Sequence, residues 1–147
     1  MYNLAMEFTK SLIKGKLIKR YKRFFTDIKV KDKVVTAHCP NTGSMLGLLD
    51  ENNEVYVLPN DDPKRKLKYG LEIIKTRKNL VGGNTHMANK IVHHGLENNL
   101  IEELKNNNLI KPEVFFNKET RFDFLLERNL QKSFVEVKNV TLFRDKY

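Results

Sequence analysis

The sequence predicts an α+β fold: five short strands in the first 78 residues, then a helix, then a long β-hairpin near residue 147. Three observations carry that prediction. Period-2 alternation of apolar and polar residues recurs between turn signals from residue 8 to residue 76. Helical spacing of apolar residues appears after Thr85. Alternation then returns, with Phe122, Phe124 and Leu126 set against Arg121, Asp123 and Leu125, and Val135 and Val137 set against Phe134, Glu136 and Lys138.

The strands are expected at residues 8–16, 17–30, 33–39, 54–59 and 67–76. Lys31-Asp32-Lys33 reads as the turn of a hairpin, and Asn60-Asp61-Asp62-Pro63 as a second turn. Five strands in so short a segment are compatible with a small Greek-key barrel of the oligonucleotide-binding (OB) type, although strand counting also permits other small barrels. Asn79-Leu80-Val81-Gly82-Gly83-Asn84 marks the boundary, its two glycines reading as a hinge. Thr85 is placed to cap a helix running to about His94. Its apolar face is expected from Met87, Ile91, Leu96, Leu100, Ile101 and Leu104, with Gly95 as a break. His86 and His93 stand about 10 Å apart along such a helix, too far for one metal ion.

Composition narrows the function classes. A hydrophobic content of 40% supports a core, and the length suits one ordinary domain or two very small ones. The single cysteine excludes an internal disulfide framework and agrees with a reducing cytoplasm, the expected compartment. No apolar run approaches the length of a membrane span, and residues 1–10 lack a signal-peptide apolar region.

The net charge of +9 is unevenly placed: residues 1–78 hold 17 Lys and Arg against 9 Asp and Glu, and the remainder hold 10 against 9. Such asymmetry points to a polyanion-binding half, with nucleic acid as the expected partner. An acidic membrane surface ranks below it, because no basic amphipathic helix is present in the sequence. Lys19-Arg20-Tyr21-Lys22-Arg23-Phe24-Phe25 is the densest mixture of cations and rings. On a strand it would place cations on both faces, with Tyr21, Phe24 and Phe25 as stacking surfaces for bases. A two-faced strand with core rings and solvated cations explains the same string equally well. Lys64-Arg65-Lys66 extends the positive surface just ahead of the fifth strand.

In His38-Cys39-Pro40-Asn41-Thr42-Gly43-Ser44-Met45, strand neighbours point to opposite faces, so His38 and Cys39 alone do not make a catalytic pair. Too few thiols are present for a structural zinc site, and Pro-Asn-Thr-Gly is turn chemistry. The hairpin carries a different signal. A turn centred between Asn129 and Leu130 pairs Asp123 with Glu136 and Arg121 with Lys138, putting two acids and a lysine on one surface. Facing carboxylates repel unless a cation or proton lies between them, and Mg²⁺ is a natural neutraliser in phosphate chemistry. Glu113, leading a strand expected at residues 112–116, is a candidate third acid; an exposed strand-end glutamate is the plainer reading of it.

An Asp followed by Glu-x-Lys on the next strand resembles the nuclease core of many restriction-type enzymes. The longer strings are more specific. Arg121-Phe122-Asp123-Phe124 with Glu136-Val137-Lys138-Asn139-Val140-Thr141-Leu142 resembles the sugar fermentation stimulation protein A family. So do Arg20-Tyr21-Lys22-Arg23-Phe24, the His38–Met45 string, Lys64-Arg65-Lys66, Asn84-Thr85 and Asn89, while Gly70, Gly83 and Ala88 depart from it. The resemblance implies an OB-like basic domain over residues 1–80. It implies an incomplete restriction-endonuclease-like α/β domain, of the PD-(D/E)xK type, over residues 81–147, because family members continue beyond Tyr147 through a loop, a basic helix and a strand. A hairpin without that helix is expected to expose an apolar face. DNA is the implied partner, bound without sequence preference, with a role in regulating sugar (maltose) metabolism. Arg20, Tyr21, Lys22, Arg23, Phe24, Lys64, Arg65 and Lys66 are the expected nucleic-acid contacts. The enzymatic alternative is a Mg²⁺-dependent nuclease using Asp123, Glu136 and Lys138, with Asp123, Glu136 and Glu113 as metal ligands. A third reading is a basic module that docks an acidic protein.

Overall fold

The computed structural model describes residues 5–77 and 79–141. Leu142, the last residue of the family string, and Tyr147 lie outside the described residues, as does Lys78. The chain forms two compact units, one built on Phe8–Thr85 with Val140 and Thr141, the other on His86–Asn139.

In the first unit, β1 (Ile13–Tyr21), β2 (Phe25–Val30), β3 (Lys33–His38), β4 (Glu54–Pro59), β5 (Tyr69–Lys75) and β6 (Leu80–Gly82) form one sheet in the order β3-β2-β1-β4-β5-β6. A parallel contact between His38 and Gly70 joins β3 to β5 and closes the first five strands into a barrel. The OB-like barrel expected from the sequence is therefore the observed architecture. Alternate inward residues fill it: Leu17, Ile28, Ala37, Val55, Val57, Leu71 and Ile74 are fully buried. Cys39, Met45 and Leu48, from the connection after β3, complete the core.

Two sequence expectations change here. The first two strands were expected at 8–16 and 17–30, but β1 runs on to Tyr21 and the turn falls at Lys22–Phe24. Lys22 and Arg23 both adopt left-handed backbone there, at φ 48° and 63°. Nothing in a run of Lys, Arg and Phe signals such a turn. It is held instead by Arg20 Nε, which donates to Arg23 O at 3.0 Å, and by Cys39 N, which donates to Phe24 O at 2.7 Å. The expected hinge at residues 79–84 contains strand β6, paired antiparallel with β5. Thr85 donates its hydroxyl to Pro40 O at 2.6 Å.

The second unit holds helix α1 (His86–Glu97), a short 3₁₀ turn at Glu102–Leu104, and a sheet of β7 (Leu109–Phe115), β8 (Arg121–Arg128) and β9 (Gln131–Val135) in that order. Gly95 does not break α1. It is buried, and a Cβ there would lie 3.3 Å from Ile101, so glycine admits the returning chain. The packed face of the helix is Val92 and Leu96 with Ile101 and Leu104, while Ile91 and Leu100 are exposed. The β8–β9 turn is where the sequence places it. Arg128 opposes Gln131 and Phe124 opposes Val135 across a two-residue turn. Asn129 and Leu130 both adopt left-handed φ, the type I′ requirement. Pro112 lies on β7, an edge strand, where a missing N–H costs no ladder bond on the open side.

Simple alternation fails along β8. Phe124, Leu125 and Leu126 are buried in succession. Phe122 packs with Phe116 and Phe134, at centroid distances of 6.1 and 5.0 Å, not with Phe124. Phe115 and Phe116 remain exposed.

Candidate functional site

Among the described residues the expected nucleic-acid contacts fall into three groups. Arg20 is a clamp. Its guanidinium donates to Asn41 O at 2.6 Å, to Gly43 O at 2.8 Å and twice to Arg23 O. Arg20 therefore ties the turn after β1 to the loop after β3, and its planar fork suits several carbonyls at once. That loop is fastened elsewhere too. Asn41 accepts from Gly43 N at 2.9 Å and donates to Thr141 Oγ1 at 3.2 Å, so two of the matching strings meet in one hydrogen bond. Cys39, fully buried against Met45 and Asn41 O, is a core residue.

The second group stands at the tip of the β1–β2 hairpin. Lys22, Arg23 and Phe24 are exposed, and neither cationic side chain has an ion-pair partner among the described residues. Phe24 stacks on His38 with centroids 6.4 Å apart and planes 12° apart. Tyr21 stacks on Phe25 at 5.5 Å, and Lys19 Nζ lies 5.5 Å from the Tyr21 ring. Turn and strand end thus present rings and free cations together, the pairing of features that single-strand binders use. The third group, Lys64, Arg65 and Lys66, is exposed on the loop before β5, whose backbone is shaped by Asp62 accepting from Lys64 N and Arg65 N.

The acidic residues of the hairpin are placed differently from expectation. The β8–β9 ladder ends at Phe124–Val135, so Glu136 and Lys138 leave the strand and the expected facing pairs do not form as ladder pairs. The reason lies with Asp123. Its Oδ2 accepts the Val137 N–H at 2.7 Å, so a side chain replaces the carbonyl that would continue the ladder. Its Oδ1 accepts from Asn89 Nδ2 on α1, also at 2.7 Å. Asp123 is thus held by two donors at the residue between Glu136 and Lys138. Those two form an ion pair with each other, which raises the Lys138 pKa, and the Asp123 charge adds to that rise. Glu113 goes elsewhere: it pairs with Arg121 at 3.0 Å, and the Arg121 guanidinium also lies over Phe115. No three His, Cys, Asp or Glu side chains gather as a metal cluster among the described residues. Asp123 and Glu136 offer carboxylate oxygens that Mg²⁺ accepts, but the described residues form no protein cage, so substrate phosphate and water would complete the shell around those two.

Sequence reasoning missed Asn89 as the partner of Asp123. Only its match to the family pattern pointed to it, since no local periodicity links a helix residue to a strand 34 positions away.

Comparison with known proteins agrees with this architecture. A family model described as the SfsA N-terminal OB domain matches residues 18–82, and one described as the sugar fermentation stimulation protein RE domain matches residues 86–147. The chain is 76% identical over 140 residues to a sugar fermentation stimulation protein homolog of Pelagibacter ubique, covering 95% of this chain and 60% of that protein. A homolog from Pseudoalteromonas atlantica is 45% identical over 144 residues, covering 95% of this chain and 62% of that protein. The chain thus spans about three-fifths of the length of these relatives. Among solved structures, Pyrococcus furiosus SfsA, described in complex with Ca²⁺, shares the fold at a TM-score of 0.74 and 24% identity, over 89% of this chain and 55% of that one. No described helix is long and apolar enough to cross a membrane. With both of its units matched by models of one family, this chain belongs to the sugar fermentation stimulation protein (SfsA) family.

Proposed function

We propose that the chain binds nucleic acid, DNA in the first place, through the tip of the β1–β2 hairpin, with Lys22 and Arg23 on phosphates and Phe24 and Tyr21 against bases. The observation that carries this reading is the pair of exposed cations, without ion-pair partners among the described residues, beside two ring stacks, one led by the exposed Phe24 and one by the half-buried Tyr21, on an OB-like barrel. Lys64, Arg65 and Lys66 add positive potential to the same domain. Arg20 contributes by holding the turn. Phosphate contacts carry no base information, so binding without sequence preference is expected. The role in sugar metabolism draws on the name its relatives share, and the maltose part of it on the family resemblance alone.

The test is a titration of labelled single- and double-stranded DNA and RNA across a salt series. Log affinity should fall linearly with log salt, and Lys22→Ala with Arg23→Ala should reduce the slope by about 1.5 to 2. Salt-insensitive binding, or an unchanged slope in the double variant, overturns the reading. Preference for an acidic protein over every nucleic acid supports the basic docking module instead.

A second reading, a Mg²⁺-dependent nuclease, draws on Asp123 fixed by Asn89 and Val137 N–H beside the Glu136–Lys138 pair. Metal held by Asp123 and Glu136 would polarise a phosphate, and Lys138 would oppose the developing charge. Cleavage that requires Mg²⁺ or Mn²⁺ and is lost in both Asp123→Ala and Lys138→Ala supports it; digestion that persists in both removes it.

A further inference from the structure

The barrel carries a like-charge pair that linear sequence does not reveal. Lys16 on β1 and Lys29 on β2 are direct cross-strand partners. Like charges in that relation repel and destabilise a sheet unless something neutralises them. Acids near them are otherwise engaged or unpaired. Glu54, the β4 partner of Lys16, directs Oε2 to Lys14 at 2.5 Å and Oε1 to Tyr56 and Lys75. Neither Asp32 nor Glu51 forms an ion pair with Lys16, Lys29 or Lys31 among the described residues.

These side chains line a shared space. Lys14, Gly15, Lys16, Lys29, Lys31 and Asn52 bound an open cleft of about 380 Å³. Its walls include two left-handed loop residues, Lys31 at φ 53° and Asn52 at φ 67°. Among the described residues no ring and no acid lines it, so the cleft suits an anion and offers nothing for a base to stack upon.

We infer that this cleft is a second phosphate-binding site, in which Lys16, Lys29 and Lys31 hold backbone phosphates of the nucleic-acid strand whose bases meet the Tyr21–Phe25 end. The inference rests on the nucleic-acid reading above and extends it to residues that reading does not use. Position favours one continuous ligand. Lys29 and Phe25 lie four residues apart on β2, about 13–14 Å. At the ~3.4 Å rise of a stacked helical strand that spacing is roughly four nucleotides, and an extended single strand spans it with fewer. An isolated lipid headgroup would not span both ends.

The experiment replaces Lys16, Lys29 and Lys31 together by Gln in the full chain and measures binding of a labelled single-stranded oligonucleotide by anisotropy across a salt series. A charge-matched control carries Lys111→Gln, Lys118→Gln and Lys132→Gln, all three exposed in the other unit. The triple variant should lower the salt slope by about 2. Its thermal midpoint should match or exceed that of the wild type, because the cross-strand repulsion is gone, which separates lost binding from lost folding. Tripolyphosphate should raise the midpoint of the wild type and not of the triple variant. If the wild type binds the oligonucleotide and the triple variant keeps the full slope, this inference fails while the nucleic-acid reading stands. If the wild type binds no nucleic acid, both fail together. Binding only to phosphatidylserine vesicles assigns the cleft to a membrane surface and overturns the proposal.

Discussion

The guanidinium of Arg20 donates to the carbonyl of Gly43 at 2.8 Å, and this bond separates Arg20 from the cations that follow it in sequence. Charged hydrogen bonds to a part-buried loop contribute about 1.5–3 kcal/mol. Arg20→Lys should therefore lower the unfolding free energy by about 2 kcal/mol, since an ammonium cannot replace the planar fork. Lys22→Ala and Arg23→Ala should leave it nearly unchanged. Urea denaturation of the three variants checks this. Equal stability in all three would remove the clamp.

Asn89 and Asp123 should couple energetically. Asn89→Ala removes one of two donors to a carboxylate, at a cost on the order of 1–2 kcal/mol. In a double-mutant cycle with Asp123→Ala the coupling should reach about 1 kcal/mol. Strictly additive losses would show that the bond contributes nothing.

Gly15→Ala opposes two effects. Replacing glycine in a strand usually stabilises slightly by restricting the unfolded chain. At this position the new Cβ would sit 2.5 Å from Ile28 Cγ2 and 2.9 Å from Lys29 O. Overpacking of that kind costs about 1–3 kcal/mol and should prevail. The measured outcome should be a lower thermal midpoint.

Glu54 sets an acid limit on the barrel. Hydrogen bonds from Lys14, then Tyr56, then Lys75 hold its pKa down at about 2 against an ordinary 4.5. A depressed carboxylate stabilises the folded state fully above its unfolded pKa, and the contribution fades as pH falls toward the folded value. Glu54→Gln should accordingly lower the thermal midpoint at pH 7, and the gap from wild type should close between about pH 4.5 and pH 2. A gap independent of pH in that window would assign the loss to packing.

Local chemistry determined a good share of this fold. The bounds of β4, the Lys31-Asp32 turn and the Asn129-Leu130 turn follow from period-2 alternation and short-range turn geometry, which residues a few positions apart encode by themselves. Five short amphipathic strands were compatible with a small closed barrel, and the family resemblance implied the OB type, which is the architecture observed. What only the tertiary structure decided was which charges meet. Placing the first turn at Lys22–Phe24 set Lys16 against Lys29. That turn is held partly by Cys39, from the loop after β3. Asp123 left its expected partner because Asn89 and the Val137 N–H, 34 and 14 positions away, compete for its oxygens. Hydrogen bonds across such separations depend on how strands and helix come together, and a one-residue change of register moves every side chain to the other face.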